Sequence, residues 1–421
     1  MNQFVGPILI ERVAHLLRKD VATTDEQSEC ANLALQYWCS VGQPNTPYLQ
    51  QLIAASKSIP AMNRPNNNYS VQKIDDKNSH ILIEQKAISH NFADAISLLE
   101  ATDIEPSNYF LKLEKILELL ILGENWRSIE EIEHRLDGHM KNTCHDISPP
   151  EKDAYQRAKL LVSASYFLQG RYFECLKHFI NIAQNDESII RLLIAPMSRP
   201  LVTSHELILM ISLSILTTIP LDSYETFFHL EELEPFFERS PILIKCLNLL
   251  INTSYNKFFK LMKSTINDMC EQSMFLDRQW DTVQSIMRNK VYFFYMRIAN
   301  KVEIKYLSDT LGIDYDIVNR EVNLLISETH LNFNIEGDII CFRSRKEINN
   351  ILDGIKKTDN MLSGQIETLR KRNEAIRNFI QQSIIDNSTM HQAALIEEGM
   401  NVEDIIERTD YDSSEDVDHP I

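Results

Sequence analysis

Glycine is scarce: the chain has 10 in 421 residues, about a third of the roughly 7 per cent usual in proteins. Phosphate-cradling loops and tight strand turns both draw on glycine's freedom at positive φ. A nucleotide enzyme built on a glycine-rich loop is therefore disfavoured, and a helical protein is favoured. The 7 cysteines are odd in number, lie far apart and never form CxxC. That pattern suits reduced thiols in cytoplasm or nucleus rather than a disulfide framework or a zinc ribbon. Residues Met1 to Ile10 lack a signal-peptide profile. The longest apolar run, Leu207 to Leu221, is broken by Ser and Thr and is too short to cross a bilayer, so no membrane partner is expected.

Reactive constellations are missing too. No Walker loop, GxSxG, His-x-His or catalytic-cysteine context occurs. His134, His139, Cys144 and His145 lack the spacing of a structural zinc site. His205-Glu206 begins like a zincin helix, but Leu209 stands where the second His belongs. No catalytic residue, cofactor or metal is assigned, and the expectation is a protein that is not an enzyme.

What the chain does have is helical periodicity. Hydrophobic residues make up 44% and charged residues 24%, enough for a sizeable core. Residues 6–20 and 24–41 read as a helical pair, with Thr23 and Glu26 at capping-box spacing and Gly42 closing the second helix. Lys57 to His80, rich in Asn with Pro60 and Pro65, reads as a loop. Helices then recur to about Asn185, marked by Leu111, Leu113, Ile116, Leu119 and Leu120, then by Trp126, Ile129, Ile132 and Leu136. A break is expected at Asn142–Lys152 because of Pro149-Pro150. From Ala158 to Phe179 a small-residue helix turns at Gly170, and a second packs Phe173, Leu176 and Phe179 back on it. This resembles a TPR-like hairpin of a stacked solenoid. Residues 203–265 continue without strand signals.

The pattern changes between Arg278 and Phe342. Val283, Ile286, Met287, Val291, Phe294 and Ile298 form one helical stripe. Val302 and Ile304 alternate as a short strand. Tyr306, Leu307 and Leu311 mark a helix that Gly312 ends, and Asp314 starts another carrying Val318, Val322 and Leu325. Leu331, Phe333 and Ile335 then alternate, Glu336-Gly337-Asp338 turns, and Ile339, Ile340, Cys341 and Phe342 return. This order is a winged helix. Its would-be recognition helix carries Asp314, Asp316, Glu321 and Glu328 against Arg320, which argues against nucleic acid. Lys290, Arg297, Lys301 and Lys305 form a basic cluster: a solvated face, or a weak RNA contact. After the wing, Lys346 to Ile385 reads as one helix. Ile348, Ile355, Leu362, Leu369 and Ile376 recur every seven residues, with Leu352, Ile366 and Ile380 between them and Asp359 and Asn373 interrupting. Such a seam seeks partner helices; the plainer alternative is an amphipathic helix lying on its own domain. The net charge is −18. From Glu397 on, ten acidic residues face the single Arg408, the composition of a solvated disordered tail.

Four stretches carry a resemblance. They are Asn125-Trp126 with Ile129 and Ile132, the Ala158–Phe179 hairpin, Phe228-His-Leu-Glu-Glu-Leu-Glu-Pro235, and Met287 to Phe342. Together they resemble the PCI domain subunits of the proteasome lid, the COP9 signalosome and translation initiation factor 3. The Glu-Leu-Glu-Pro segment makes the chain most similar to subunit 1 of the signalosome. The resemblance implies a mainly α protein: a TPR-like helical-repeat solenoid, a PCI winged-helix domain and a long C-terminal helix. The expected divisions are 1–80 (N-terminal helices and Asn-rich loop), 81–265 (repeats), 266–345 (winged helix), 346–390 (bundle helix) and 391–421 (acidic tail). It implies a scaffold that supports Nedd8 removal from cullins, working in nucleus and cytoplasm. Its partners would be other PCI-domain subunits, a metalloprotease subunit in trans and cullin-based ubiquitin ligases. The interface residues would be Leu331, Phe333, Ile335, Ile339 and Cys341 on the wing. On the C-terminal helix they would be Ile348, Leu352, Ile355, Leu362, Ile366, Leu369, Ile376 and Ile380. The alternatives are a lid or initiation-factor subunit, and a nucleic-acid-binding winged-helix protein.

Overall fold

The computed structural model describes residues 4–20, 22–56, 76–102, 108–143, 147–186, 188–194, 200–230, 233–329, 331–342 and 345–397. It divides into two units, Met1–Phe342 and Arg343–Ile421.

The first unit opens with α1 (Pro7–Lys19), α2 (Thr24–Ser40) and α3 (Leu49–Ala55). The Thr23–Glu26 capping box is formed, and Gly42 holds φ 89° just past α2. Six helices follow: α4 (Asp76–Ile88), α5 (Phe92–Ala101), α6 (Tyr109–Leu122), α7 (Trp126–Thr143), α8 (Pro149–Leu168) and α9 (Tyr172–Asn185). Each packs on its neighbour, α4 on α5, α5 on α6, α6 on α7 and α8, α8 on α9. This is the helical-repeat solenoid the sequence suggested. In α8 the buried Ala154, Ala158, Ser163, Ala164 and Ser165 keep its surface low, so neighbouring helices approach closely. Gly170, at φ 75°, makes the turn to α9.

Three local expectations shift. Helix α4 starts at Asp76, inside the stretch read as a loop; 57–75 lie outside the described residues. Pro149-Pro150 open α8 instead of breaking the series, with a Ser148–Glu151 capping box. A missing N–H is harmless in a first turn. In α9 it is Tyr172 that is buried, while Phe173 is 60% exposed.

Beyond α10 (Ser188–Ile194) comes α11 (Ser204–Thr218), which packs on α8 and α9. Then follow α12 (Tyr224–Phe228), α13 (Glu234–Glu238), α14 (Pro241–Ile251), α15 (Tyr255–Leu261) and α16 (Asn267–Glu271), with a π-helical turn at Met262–Ile266. Helix α17 (Asp277–Ile298) is the join. It packs on α8 and α11 and also on α19 and β1 of the winged helix. Its Val283, Met287 and Val291 are fully buried, whereas Ile298 at its end is exposed. One continuous apolar core therefore runs from Phe4 to Ile340.

The winged helix continues from α17 through β1 (Lys301–Glu303), α18 (Ile304–Leu311), α19 (Tyr315–Thr329), β2 (Phe333–Glu336) and β3 (Ile339–Phe342). The sheet is antiparallel with order β1-β3-β2. Ile304, read above as a strand residue, opens α18. Gly312 caps that helix at φ 68° and Gly337 turns the wing at φ 64°, both conformations that a side chain resists.

The second unit contains α20 (Arg345–Glu397), a single helix of 53 residues. It runs 12 residues past Ile385 and past the division drawn at 390. The acidic segment 398–421 lies outside the described residues.

Candidate interaction surfaces

On the wing, alternation decides what each side chain faces. Phe333 pairs across with Phe342 and Ile335 with Ile340, so these four share one face with Val302. That face is the core side: Phe333, Ile340 and Val302 are buried and Ile335 is half-buried. Cys341, buried, and Ile339, half-buried, occupy the opposite face with Asn334, Glu336, Lys301 and Glu303. The five proposed wing residues therefore do not form one patch. Leu331 is half-buried just before β2. What the wing does offer is backbone. β2 is an edge of the sheet, and the register leaves the N–H and C=O of Ile335 pointing away from β3.

On α20 every described side chain from 350 to 382 is exposed. Leu352, Ile355, Leu362, Ile366, Leu369, Ile376 and Ile380 are 47–60% exposed and share the heptad seam. Ile348 sits on the same seam by position; its side chain is outside the described set. Met361 and Phe379, at 61% and 74% exposed, were missed because they lie off the strict seven-residue spacing. No described residue in the second unit covers this stripe.

A few charged pairs elsewhere are internal struts. Arg12 on α1 forks onto Glu206 of α11 at 2.8 and 2.6 Å and donates to the Leu201 carbonyl at 2.8 Å. Both are about 5% exposed, and Ser273 also bonds Glu206. Burial would raise the Glu206 pKa, but Arg12 and Ser273 outweigh it and hold the carboxylate below its ordinary range. The residue that began a failed zincin motif is thus a cross-link between the N-terminal helix and the pre-wing helices. A sequence separation of 194 leaves no local signal for it.

A second network lies in a cleft of about 410 Å³ between α7, α8 and α9. Lys159 Nζ donates to Glu133 at 2.7 Å and to Asp137 at 3.1 Å. His178 Nε2 lies 2.8 Å from Glu133, and its Nδ1 2.6 Å from Ser163 Oγ. Burial pushes the Glu133 pKa up, yet the hydrogen bonds from His178 and Lys159 carry it down to about 2. Each charge here answers another, which is how a folded network looks. Among the described residues, no group of three or more His, Cys, Asp or Glu is placed to hold a metal ion.

Of the basic cluster, Arg297, Lys301 and Lys305 stay exposed, as a solvated face would, and Lys290 leaves the surface. Lys290 points inward and donates to the carbonyls of Leu216 and Ile219, both at 2.6 Å. It thus caps the C-terminal end of α11, where a helix dipole favours a cation. Burial lowers its pKa to about 7. Arg297 pairs with Asp222 at 2.8 Å. Glu321, counted on the acidic face of the recognition helix, is buried and bonded to Arg288 and Tyr292. Asp314, Asp316 and Glu328 remain exposed beside Arg320, so that face is still acidic. No single described helix is long and apolar enough to cross a membrane.

Repeats feeding a winged helix, followed by a heptad helix with an uncovered seam, define a helical-repeat winged-helix protein. Comparison with known families places it further. The CSN11 N-terminal domain family matches residues 1–284 and the CSN11 C-terminal domain family matches 301–419. The chain belongs to this family. It is 33% identical to the Cop9 signalosome complex subunit 11 of Saccharomyces cerevisiae, over 97% of both chains. It is 31% identical to the COP9 signalosome complex subunit 11 of Kluyveromyces lactis, over 76% of this chain and 84% of that one. The Eremothecium gossypii protein of the same name is 30% identical over 73% and 74%. The affinity for subunit 1 read from Glu-Leu-Glu-Pro is corrected: the family is subunit 11. Its Glu234-Pro235 begin the short α13, preceded by Leu233, and Leu233, Phe236 and Phe237 are core residues. Acid and proline at a helix start are common to many unrelated helices, so the match carried little information.

Proposed function

We propose that the chain is a non-catalytic scaffold subunit of the COP9 signalosome, supporting removal of Nedd8 from cullins by a metalloprotease subunit in trans. The observation that carries this reading is the family match, which spans both the repeats and the C-terminal part. Two structural features support it. The β2 edge of the wing is open to strand addition by a neighbouring PCI-domain subunit, and the α20 seam is uncovered and heptad-spaced. The solenoid is the surface proposed for cullin-ligase or sister-subunit contacts, and nucleus and cytoplasm are the proposed compartments. The acidic exposed face of α19 weighs against nucleic acid.

The test is affinity purification of the tagged full chain, with its companions identified. The reading expects signalosome subunits, and expects them to be lost when Ile355, Leu362, Ile366 and Leu369 are all changed to Ser. Recovery of proteasome-lid or initiation-factor-3 subunits instead would replace the signalosome assignment. Full retention of companions by the serine variant would refute the scaffold role of α20.

A further inference from the structure

The α20 seam has flanks, and their charge is one-sided. With Leu352, Ile366 and Ile380 at the a positions and Ile355, Leu362, Leu369 and Ile376 at d, the adjoining e positions are Lys356, Ser363, Arg370 and Arg377. The adjoining g positions are Ile351, Thr358, Gln365, Arg372 and Phe379. Four of these nine are cations and none is an acid. Outside the seam, the acids between 350 and 382 lie one column further out, at Asp353, Glu367 and Glu374. Glu367 reaches Lys371 at 3.9 Å. Lys356, Arg370, Arg372 and Arg377 have no ion-pair partner among the described residues, and all four are exposed. Within the seam, a carboxylate, Asp359, takes one a position and the amide Asn373 another.

This pattern weighs against a second copy as the occupant. In a parallel pair, a residue at g meets the e residue five further along in its partner, which sets Arg372 against Arg377. Asp359 would also face itself across a dehydrated seam, where like charges repel strongly. An antiparallel pair would set Asp359 against an apolar d residue of the partner, a costly place for a carboxylate.

We infer that α20 docks a helix of a different protein, one with an apolar heptad seam, Asp or Glu on both flanks, and a Lys or Arg opposite Asp359. This rests on the scaffold reading above and specifies the partner for its C-terminal helix. Flank charges choose partners more than they supply affinity, so the prediction concerns preference.

Two synthetic helices of about four heptads test it. Both carry Leu and Ile in the seam and one Lys placed to meet Asp359; one has Glu at every e and g position, the other Lys. Binding to the purified full chain is read by fluorescence anisotropy. The acidic helix is expected to bind at least about tenfold tighter. A triple variant, Arg370→Glu with Arg372→Glu and Arg377→Glu, is expected to reverse the preference at unchanged helicity. Equal affinity for both, binding to neither, or no reversal overturns the inference, as does a concentration-dependent dimer of the chain in sedimentation equilibrium. If the native chain recruits its companions through α20 yet shows no preference, the charge code fails and the scaffold role stands. If the serine variant of the seam keeps its companions, the scaffold role fails first.

Discussion

The helices α17 and α20 are built from similar side chains and meet opposite fates. In α17, Val283, Met287 and Val291 are 0% exposed; in α20, Ile355, Leu362 and Leu369 are 50–60% exposed. Composition does not separate them. Context does: α17 is surrounded on successive faces by α8, α11, α16, α19 and β1, while α20 is the only described element of its unit. At about 1.5 Å per residue, its 53 residues reach roughly 80 Å. The seven-residue repeat from Ile348 to Ile380 covers about 50 Å of that length, and a repeat of that period points to another helix rather than to the curved surface of a domain. The apolar residues of one helix are buried, and those of the other are exposed.

That contrast can be broken at both ends. The largest effect is expected from Arg12→Ala, which leaves Glu206 buried without its partner; the loss should be about 3–5 kcal/mol in urea unfolding. Acid comes next. The Glu133 pKa is held at about 2 in the fold against about 4.5 unfolded. Its contribution is therefore complete above pH ~4.5 and is lost as pH falls toward 2. At most about 3 kcal/mol should disappear across that window, and Glu133→Gln should flatten the dependence. Lys290→Met removes the cap on α11 and strands two carbonyls, for about 1–3 kcal/mol. The smallest effect should come from Ile366→Ser on the α20 seam, within about 0.5 kcal/mol. A loss like that of a core residue there would erase the distinction between the two regions.

Legibility followed the range of the interactions. Gly312, Gly337 and the Thr23–Glu26 box were readable because each is decided within four residues. The heptads of α20 were readable because periodicity is local too. The Arg12–Glu206 bridge, the inward Lys290 and the buried Glu321 were not, because their partners come from distant helices. Phe173 was read as packed because hydrophobicity says nothing about which side of a helix the fold covers. The end of α20 was placed too early for a related reason. Past Ile380 the seam positions are Ser383, Asn387, Met390 and Ala394, which break the stripe, while Met390, Gln392, Ala393, Ala394, Leu395 and Glu397 still favour helix. Of the candidate sites, the C-terminal stripe was visible in the sequence, whereas the division of the wing residues between two faces was not drawn. Four residues from two strands, with Leu331 just before them, were grouped without applying the alternation that sends Phe333 and Ile335 to one face and Ile339 and Cys341 to the other.

Amide hydrogen exchange, followed in the free chain and again after assembly with companions, tests the central claim most directly. The amides of α6, α8, α11 and α17 should be protected in both states, while those from 350 to 382 should exchange rapidly in the free chain and slow sharply on assembly. Strong protection of 350–382 in the isolated monomer, unchanged by companions, would contradict the claim.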